Sequence, residues 1–394
     1  MEAFAAGTAR HVIDLVGHLA DVDHVIAAPS RHLGESTAPA VAAAVAAGGS
    51  VEFVEMGRFR SPSRHLAALR ALRKAVLDLR PDVVHGHSSI GGAMARLATL
   101  WTGIPTVYTP HAVSRSRLAL VVERRLRNVA ARTIAVSESE RHFAILQRVA
   151  DPERTVLIHN GIDATPPPPL AQPLRVLLGI GEDVPLVGSM GRLTWQKAPE
   201  VFIAACEIAG RQVPEAQFVL IGVGARHHEL AEAVRASSIA GRFHLVPSLS
   251  NAAAAMSELD VFALSSRFEG APYTPLEAMR AGTPVVVTDV AGSRDVVRDG
   301  ENGLVVSPDA PDQLAGAIGR LLTDEVLRAR VIGSGRRTVA NCDVQAMASA
   351  TSSVYHEVLA EQPSGSTHAQ EEVRVRVDAL LPGEPLDALG PRAE

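Results

Sequence analysis

The sequence predicts an α/β protein of two domains, each a parallel sheet covered by helices. Three observations lead there. A chain of 394 residues exceeds what one ordinary core encloses, so two domains are the default expectation. Short β-branched runs alternate with longer helical patterns over most of the length, as strands joined by helical crossovers do. Four consecutive prolines at 166–169 then break the alternation, because proline neither donates to a ladder nor continues a helix.

Composition narrows the class. Charged residues make up 21 % and hydrophobic ones 47 %, which suits a soluble globular chain. A net charge of −5 argues against nucleic acid as a partner, since phosphate backbones call for a basic excess. Cys206 and Cys342 are the only cysteines, and their spacing builds neither a disulfide framework nor a cysteine metal site. No apolar run approaches the ~18 residues that span a bilayer, and the start at Met1-Glu2 lacks the order of a signal peptide. A cytoplasmic protein is expected, at most peripheral to the inner face of a membrane.

Taken in order, residues 1–165 form the first domain, with strand-like runs at 81–85 and 105–108. Residues 166–173 are the linker. Residues 174–344 form the second domain, with strands expected at 185–190, 217–221, 243–246, 261–265 and 284–288, and helices at 199–209, 228–237 and 275–281. A last helix is expected over about 345–361, and residues 362–394, rich in Pro, Gly and Glu, read as a disordered tail. Two such domains leave a cleft between them for a ligand.

The segment Ser265-Ser266-Arg267-Phe268-Glu269-Gly270-Ala271-Pro272-Tyr273-Thr274-Pro275-Leu276-Glu277 is the most informative. Pro275 has the character of a first helical residue. Thr274 and Glu277 then make a capping box, which needs no function at all. The alternative is an anion site at the helix N-terminus, where unpaired amides and the dipole favour a pyrophosphate. Carboxylates at Glu269 and Glu277 could each accept paired hydrogen bonds from sugar hydroxyls. A second constellation, Gly191-Arg192-Leu193-Thr194-Trp195-Gln196-Lys197, sets two cations at a strand-to-helix turn. They are either solvated surface charges or the partners of two phosphates.

In the first domain His111 follows a strand-like run, and the i, i+2 spacing of His85 and His87 places both on one face of a strand. No third metal ligand is evident from the sequence, so no metal site is expected. Basic residues gather at Arg58, Arg60, Arg64, Arg70, Arg73 and Lys74, and again at Arg115, Arg117, Arg124, Arg125, Arg127 and Arg132. Leu118, Val121, Val122, Leu126 and Val129 recur at helical spacing. That helix either packs on its own sheet with its basic side in water or lays its face on anionic lipid.

These motifs resemble glycosyltransferase family 4, whose Glu-x7-Glu pattern Glu269 and Glu277 match. The likeness extends through Gly191 to Lys197, Ala281 to Val286 and Asp299 to Val305, and covers residues 7–359. It implies a GT-B fold, two Rossmann-like βαβ domains facing a central cleft. It implies a retaining transfer of sugar from a nucleoside-diphosphate sugar to an acceptor hydroxyl, with no divalent ion and no protein nucleophile. By resemblance Glu269 and His111 face the donor sugar, Glu277 the ribose, and Arg192 and Lys197 the diphosphate. Pro272 stands where many members have glycine and has no N–H, so the amides of Ala271, Tyr273 and Thr274 would supply that contact. Gly222 belongs to a glycine turn near the nucleotide, and Gly7 to a loop near sugar or phosphate. Asn160-Gly161, before the linker, reads as a structural hinge.

The sequence does not separate uracil from guanine near residues 247–249; a UDP-sugar is the working expectation. The acceptor, carried on the first domain, is a carbohydrate, a lipid-linked or a small molecule, with surface polysaccharide the favoured pathway. A nucleotide-sugar epimerase and a non-catalytic nucleotide-sugar binder remain as alternatives. The likeness begins at the first helix, so a first strand is expected upstream of Glu2.

Overall fold

The computed structural model describes residues 7–29, 38–54, 62–114, 116–247, 249 and 251–362. The predicted tail beyond 362, residues 1–6, Arg58, Arg60 and Arg115 lie outside the described residues. Twelve strands are described: β1 (Val25–Pro29), β2 (Ser50–Val54), β3 (Val84–His87), β4 (Thr106–Thr109), β5 (Arg132–Ala135), β6 (Thr155–Leu157), β7 (Leu186–Met190), β8 (Gln217–Ile221), β9 (Phe243–Val246), β10 (Val261–Leu264), β11 (Val285–Thr288) and β12 (Leu304–Val306). Every pairing is parallel.

The C-terminal half holds one six-stranded sheet of order β12-β11-β10-β7-β8-β9. The order reverses between β7 and β10, the switch point where such sheets open a crevice at their carboxyl ends. Alternation along the strands explains its solidity. Val187, Phe218, Leu220, Val261 and Ala263 pack into one buried cluster, while Leu186, Val219, Ile221, Phe262 and Leu264 pack into another. Successive side chains of a strand point to opposite faces, so the sheet is covered on both.

The N-terminal half has a two-stranded sheet, β1-β2, and a four-stranded one, β3-β4-β5-β6. Val107, Ile134 and Ile158 share a core with Leu15 of the helix Gly7–His18, with Leu19 just beyond it, and with Val344, Met347, Ala348, Val354 and Val358 of the helix Val344–Ala360. The last helix therefore crosses back to complete the first sheet, which its position in the sequence did not suggest. The crossing is tight at Ile162, whose amide donates to the Cys342 carbonyl at 2.8 Å.

Several sequence boundaries move, and two of the shifts bear on the site. The run expected at 81–85 becomes a strand only at Val84, because Pro81 and Asp82 form the bend after the helix Pro62–Leu79. The helix expected at 275–281 starts at Tyr273, with Pro272 at the N-cap and no side-chain cap. Pro275 fits inside that first turn because its amide would have no helical partner there.

Candidate active site

The capping-box reading of Glu277 fails on this geometry. Glu277 lies in the second turn, and the N-cap, Pro272, has no amide to receive it. Its carboxylate faces Arg10 on the first helix instead, Nη1 to Oε1 being 3.8 Å. Arg10 is itself anchored by Asp14, with Nε donating to Oδ1 at 2.7 Å. Burial pushes the Glu277 carboxyl above its usual range, opposed by Arg10 and Arg280. A carboxylate only 13 % exposed beside a partly exposed guanidinium suits an acceptor for paired hydroxyls better than a helix cap.

The two glycosidic motifs of the C-terminal half meet after β7 and β10. Lys197 Nζ donates to Glu269 Oε1 at 2.6 Å, in the company of backbone bonds that hold the two turns together. Arg267 N donates to the Gln196 carbonyl at 2.7 Å, Gln196 Nε2 to the Phe268 carbonyl at 3.0 Å, and Ser265 Oγ to the Ala198 carbonyl at 2.9 Å. Arg192 lies exposed on the same turn, with no ion pair among the described residues. Gly222 is used for close backbone approach: a Cβ there would stand 1.9 Å from the Gly191 carbonyl oxygen. The glycine turn thus shapes the Gly191–Lys197 turn directly.

Three unpartnered hydroxyls are buried here: Ser266 Oγ after β10, Thr274 Oγ1 on the helix that follows, and Ser293 Oγ on the short helix Ala291–Arg294 after β11. Buried hydroxyls normally find partners, so these are donors available to a ligand. Tyr273 and Thr274 occupy the first two helical positions, where amides are free.

The first half closes over this platform. Ser137 Oγ donates to the Gly270 carbonyl at 2.7 Å, and a Cβ on Gly270 would sit 2.8 Å from the Ala112 amide nitrogen. Asn160 Nδ2 donates to the Ala271 carbonyl at 2.9 Å, and its Oδ1 lies 3.2 Å from His11 Nδ1. Asn160 is therefore a tether of the donor loop as well as part of a turn. Gly7 lies against Tyr273, a Cβ there standing 3.3 Å from the ring, and the Tyr273 hydroxyl is 3.2 Å from His11 Nδ1.

His111 and Ala112 adopt φ of 54° and 109°, conformations that non-glycine residues rarely take. Glu140 holds them there: Oε1 accepts the Ala112 amide at 2.5 Å and Oε2 the Val136 amide at 2.9 Å. Burial pushes Glu140 up to about 7, against the lowering effect of those two amides. His87 Nδ1 is 3.0 Å from His111 Nε2. The i, i+2 pair does share a strand face, the rings of His85 and His87 being 4.0 Å apart. His87 groups with His111 and with His11 of the first helix, while His85 stands outside that group.

Arg10, His11, Asn160, Glu140, Ser137 and Gln196 were not singled out by motif reasoning as site residues. Only His11 carries a usable signal, a histidine on the buried face that Val12 and Leu15 define.

Two parallel-sheet lobes meeting over a lysine–glutamate pair, a partly buried second glutamate and a facing histidine define the class of GT-B glycosyltransferases. The chain belongs to glycosyltransferase family 4: residues 5–165 match the model described as Glycosyltransferase Family 4, and residues 173–338 that of Glycosyl transferases group 1. It is 32 % identical over 311 residues to the alpha-maltose-1-phosphate synthase of Mycolicibacterium smegmatis, covering 71 % of this chain and 79 % of that one. It is 26 % identical to the Escherichia coli UDP-Gal:alpha-D-GlcNAc-diphosphoundecaprenol alpha-1,3-galactosyltransferase, over 67 % of this chain and 72 % of the relative. In fold it is similar to Anabaena HepE, crystallised with UDP and glucose, with a TM-score of 0.76 at 21 % identity over 89 % of this chain and 96 % of that one. Family membership favours a sugar-transferring enzyme over an epimerase or a non-catalytic binder.

Proposed function

We propose that this enzyme moves a sugar, with retention, from a nucleoside-diphosphate sugar to an acceptor hydroxyl, and that the donor is a UDP-sugar. The observation that carries the reading is the 2.6 Å contact between Lys197 and Glu269 at the mouth of the switch point. Lys197, with Arg192 beside it, meets the diphosphate and stabilises the charge that grows as it leaves. Glu269 takes hydroxyls of the transferred sugar, and Glu277 those of the ribose. His111 faces the sugar from the other lobe, and the amides of Tyr273 and Thr274 face the phosphates. No step in this scheme calls for a metal cofactor. The UDP bound by the Anabaena neighbour supports the choice of base.

A donor panel read by release of nucleoside diphosphate, with the product's anomeric configuration assigned by NMR, tests this. Lys197→Ala should lower kcat/KM by roughly 10²–10³, the usual cost of removing one such charge-stabilising donor. Unchanged turnover would remove Lys197 from the site.

The acceptor is proposed to be lipid-linked and reached at an anionic membrane surface, in the synthesis of a surface glycan. The helix Arg117–Leu126 supports this, because Leu126 and Leu120 pack inward while the rest of its large apolar residues face outward. Leu118 is 75 % exposed, Val121 and Val122 are exposed too, and Arg117, Arg124 and Arg125 lie exposed beside them. The inward face carries Leu126 and Glu123, because Arg96, fully buried on the neighbouring helix, needs a counter-charge: Nη2 donates to Glu123 Oε2 at 2.7 Å. The lipid-linked substrate named for the Escherichia coli relative supports the same choice. No helix among the described residues is long and apolar enough to cross a membrane, so contact would be peripheral. Vesicles rich in anionic lipid should retain the protein, and Val122→Glu should release it; equal retention on purely zwitterionic vesicles would refute the charge argument.

A further inference from the structure

His11, His87 and His111 come from three separate elements, the first helix, the end of β3 and the segment after β4. One ring nitrogen from each lies within 4.8 Å of the other two. Among the described residues no carboxylate or cysteine joins them, and His11 and His87 are buried. The pair His87 Nδ1 and His111 Nε2 stand 3.0 Å apart, already near the separation of neighbouring ligands on a small cation. We propose that these three imidazoles form a binding site for a zinc-like divalent transition metal, and that the metal, once bound, blocks donor use by capturing His111.

Imidazole nitrogen is a preferred ligand of zinc and its neighbours rather than of magnesium or calcium. Three protein ligands with a fourth position open are the pattern of accessible zinc sites. Metal-binding histidines need their other nitrogen held by an outer partner, which fixes ring orientation. His11 has that arrangement: its Nδ1 is 3.2 Å from both Asn160 Oδ1 and the Tyr273 hydroxyl, leaving Nε2 for the cluster. Behind His87, His85 is fixed by the Tyr355 hydroxyl at 2.7 Å and Thr109 Oγ1 at 2.8 Å, so the ring next to His87 is held from swinging in to replace it. To close on a zinc–nitrogen distance of about 2.0–2.1 Å, the widest nitrogen separation must contract, which rotation of the partly exposed His111 ring can supply.

The metal site stands on the cluster alone, whereas the blocking of catalysis rests on the proposed donor role of His111. Chelator-stripped full-length protein titrated with Zn²⁺ against a chromophoric competitor should bind one ion per chain. Co²⁺ in its place should give the visible absorption of a low-coordinate nitrogen site. His11→Asn and His87→Asn should each weaken Zn²⁺ at least tenfold, while His227→Asn and His228→Asn, on an exposed helix end, should leave it unchanged. Absence of saturable binding, or binding indifferent to His11 and His87, overturns the proposal. If one cluster variant fails to fold, the other and the cobalt spectrum of the parent decide the matter. Zn²⁺ should also suppress nucleoside-diphosphate release, with recovery on adding chelator. Binding without suppression would keep the site, overturn the blocking, and count against His111 as a donor contact.

Discussion

The two halves of the molecule solve the same folding problem differently. In the C-terminal half a six-stranded sheet is covered on both faces by apolar side chains, and its candidate site residues sit on short turns joined by backbone and side-chain hydrogen bonds. In the N-terminal half the strands fall into two smaller sheets, and the interior accepts Arg96, Glu123, Glu140, His11 and His87. The donor site proposed for that half needs fixed geometry, and an apolar two-sided core supplies it. The facing half positions its groups through buried polar side chains, so its state depends on protonation and on what binds.

Glycine substitution breaks the comparison most sharply. Gly222→Ala would drive a Cβ into the Gly191 carbonyl oxygen, on a backbone pinned by the Gly191 amide bond to the Ile221 carbonyl at 3.0 Å. Denaturant unfolding should show a loss of ~3 kcal/mol or more, the upper end of overpacking costs. Gly7→Ala, in the other half, meets only a tyrosine ring at 3.3 Å and should stay within about 0.5 kcal/mol of the parent.

Acid should act through the N-terminal half. Burial lowers His11 to about 4 and His85 to about 3, so between the ordinary histidine range and those values the unfolded chain binds more protons than the folded one. Stability is then full above about pH 6.5 and falls as pH drops towards 4. For His11 alone the loss is roughly 3 kcal/mol. Glu140, pushed up to about 7, acts in the opposite sense, its burial penalty easing as pH falls from 7 towards its unfolded value. Comparing His11→Asn with the parent at pH 7 and pH 5 isolates the histidine: the variant should lose less stability on acidification. An identical loss in both proteins would show that His11 is not held neutral by the fold.

Legibility in the sequence follows the same division. The strands β8 and β9 lie where the β-branched pattern put them, and the Gly191 and Glu269 motifs are contiguous, so each could be read whole. The helix start was misplaced by two residues because Thr274 and Pro275 imitate a cap and first turn, while the true N-cap is Pro272. β12, only Leu304–Val306, is too short to stand out. The histidine cluster was hidden because its members come from separate elements, and only the His85 and His87 spacing was local. The face of Arg117–Leu126 turned outward because a buried Arg96 demands Glu123, a requirement that hydropathy along one helix does not contain.

The central claim is that Glu269 and Glu277 read opposite ends of one nucleotide sugar. Titration calorimetry of Glu269→Gln and Glu277→Gln, each with the intact donor sugar and with free nucleoside diphosphate, tests it most directly. Glu277→Gln should melt close to the parent and bind both ligands about tenfold more weakly, the loss of one charge-assisted contact. Glu269→Gln should weaken the intact donor sugar and leave the free diphosphate at parental affinity. Parental nucleotide affinity in Glu277→Gln would contradict the account.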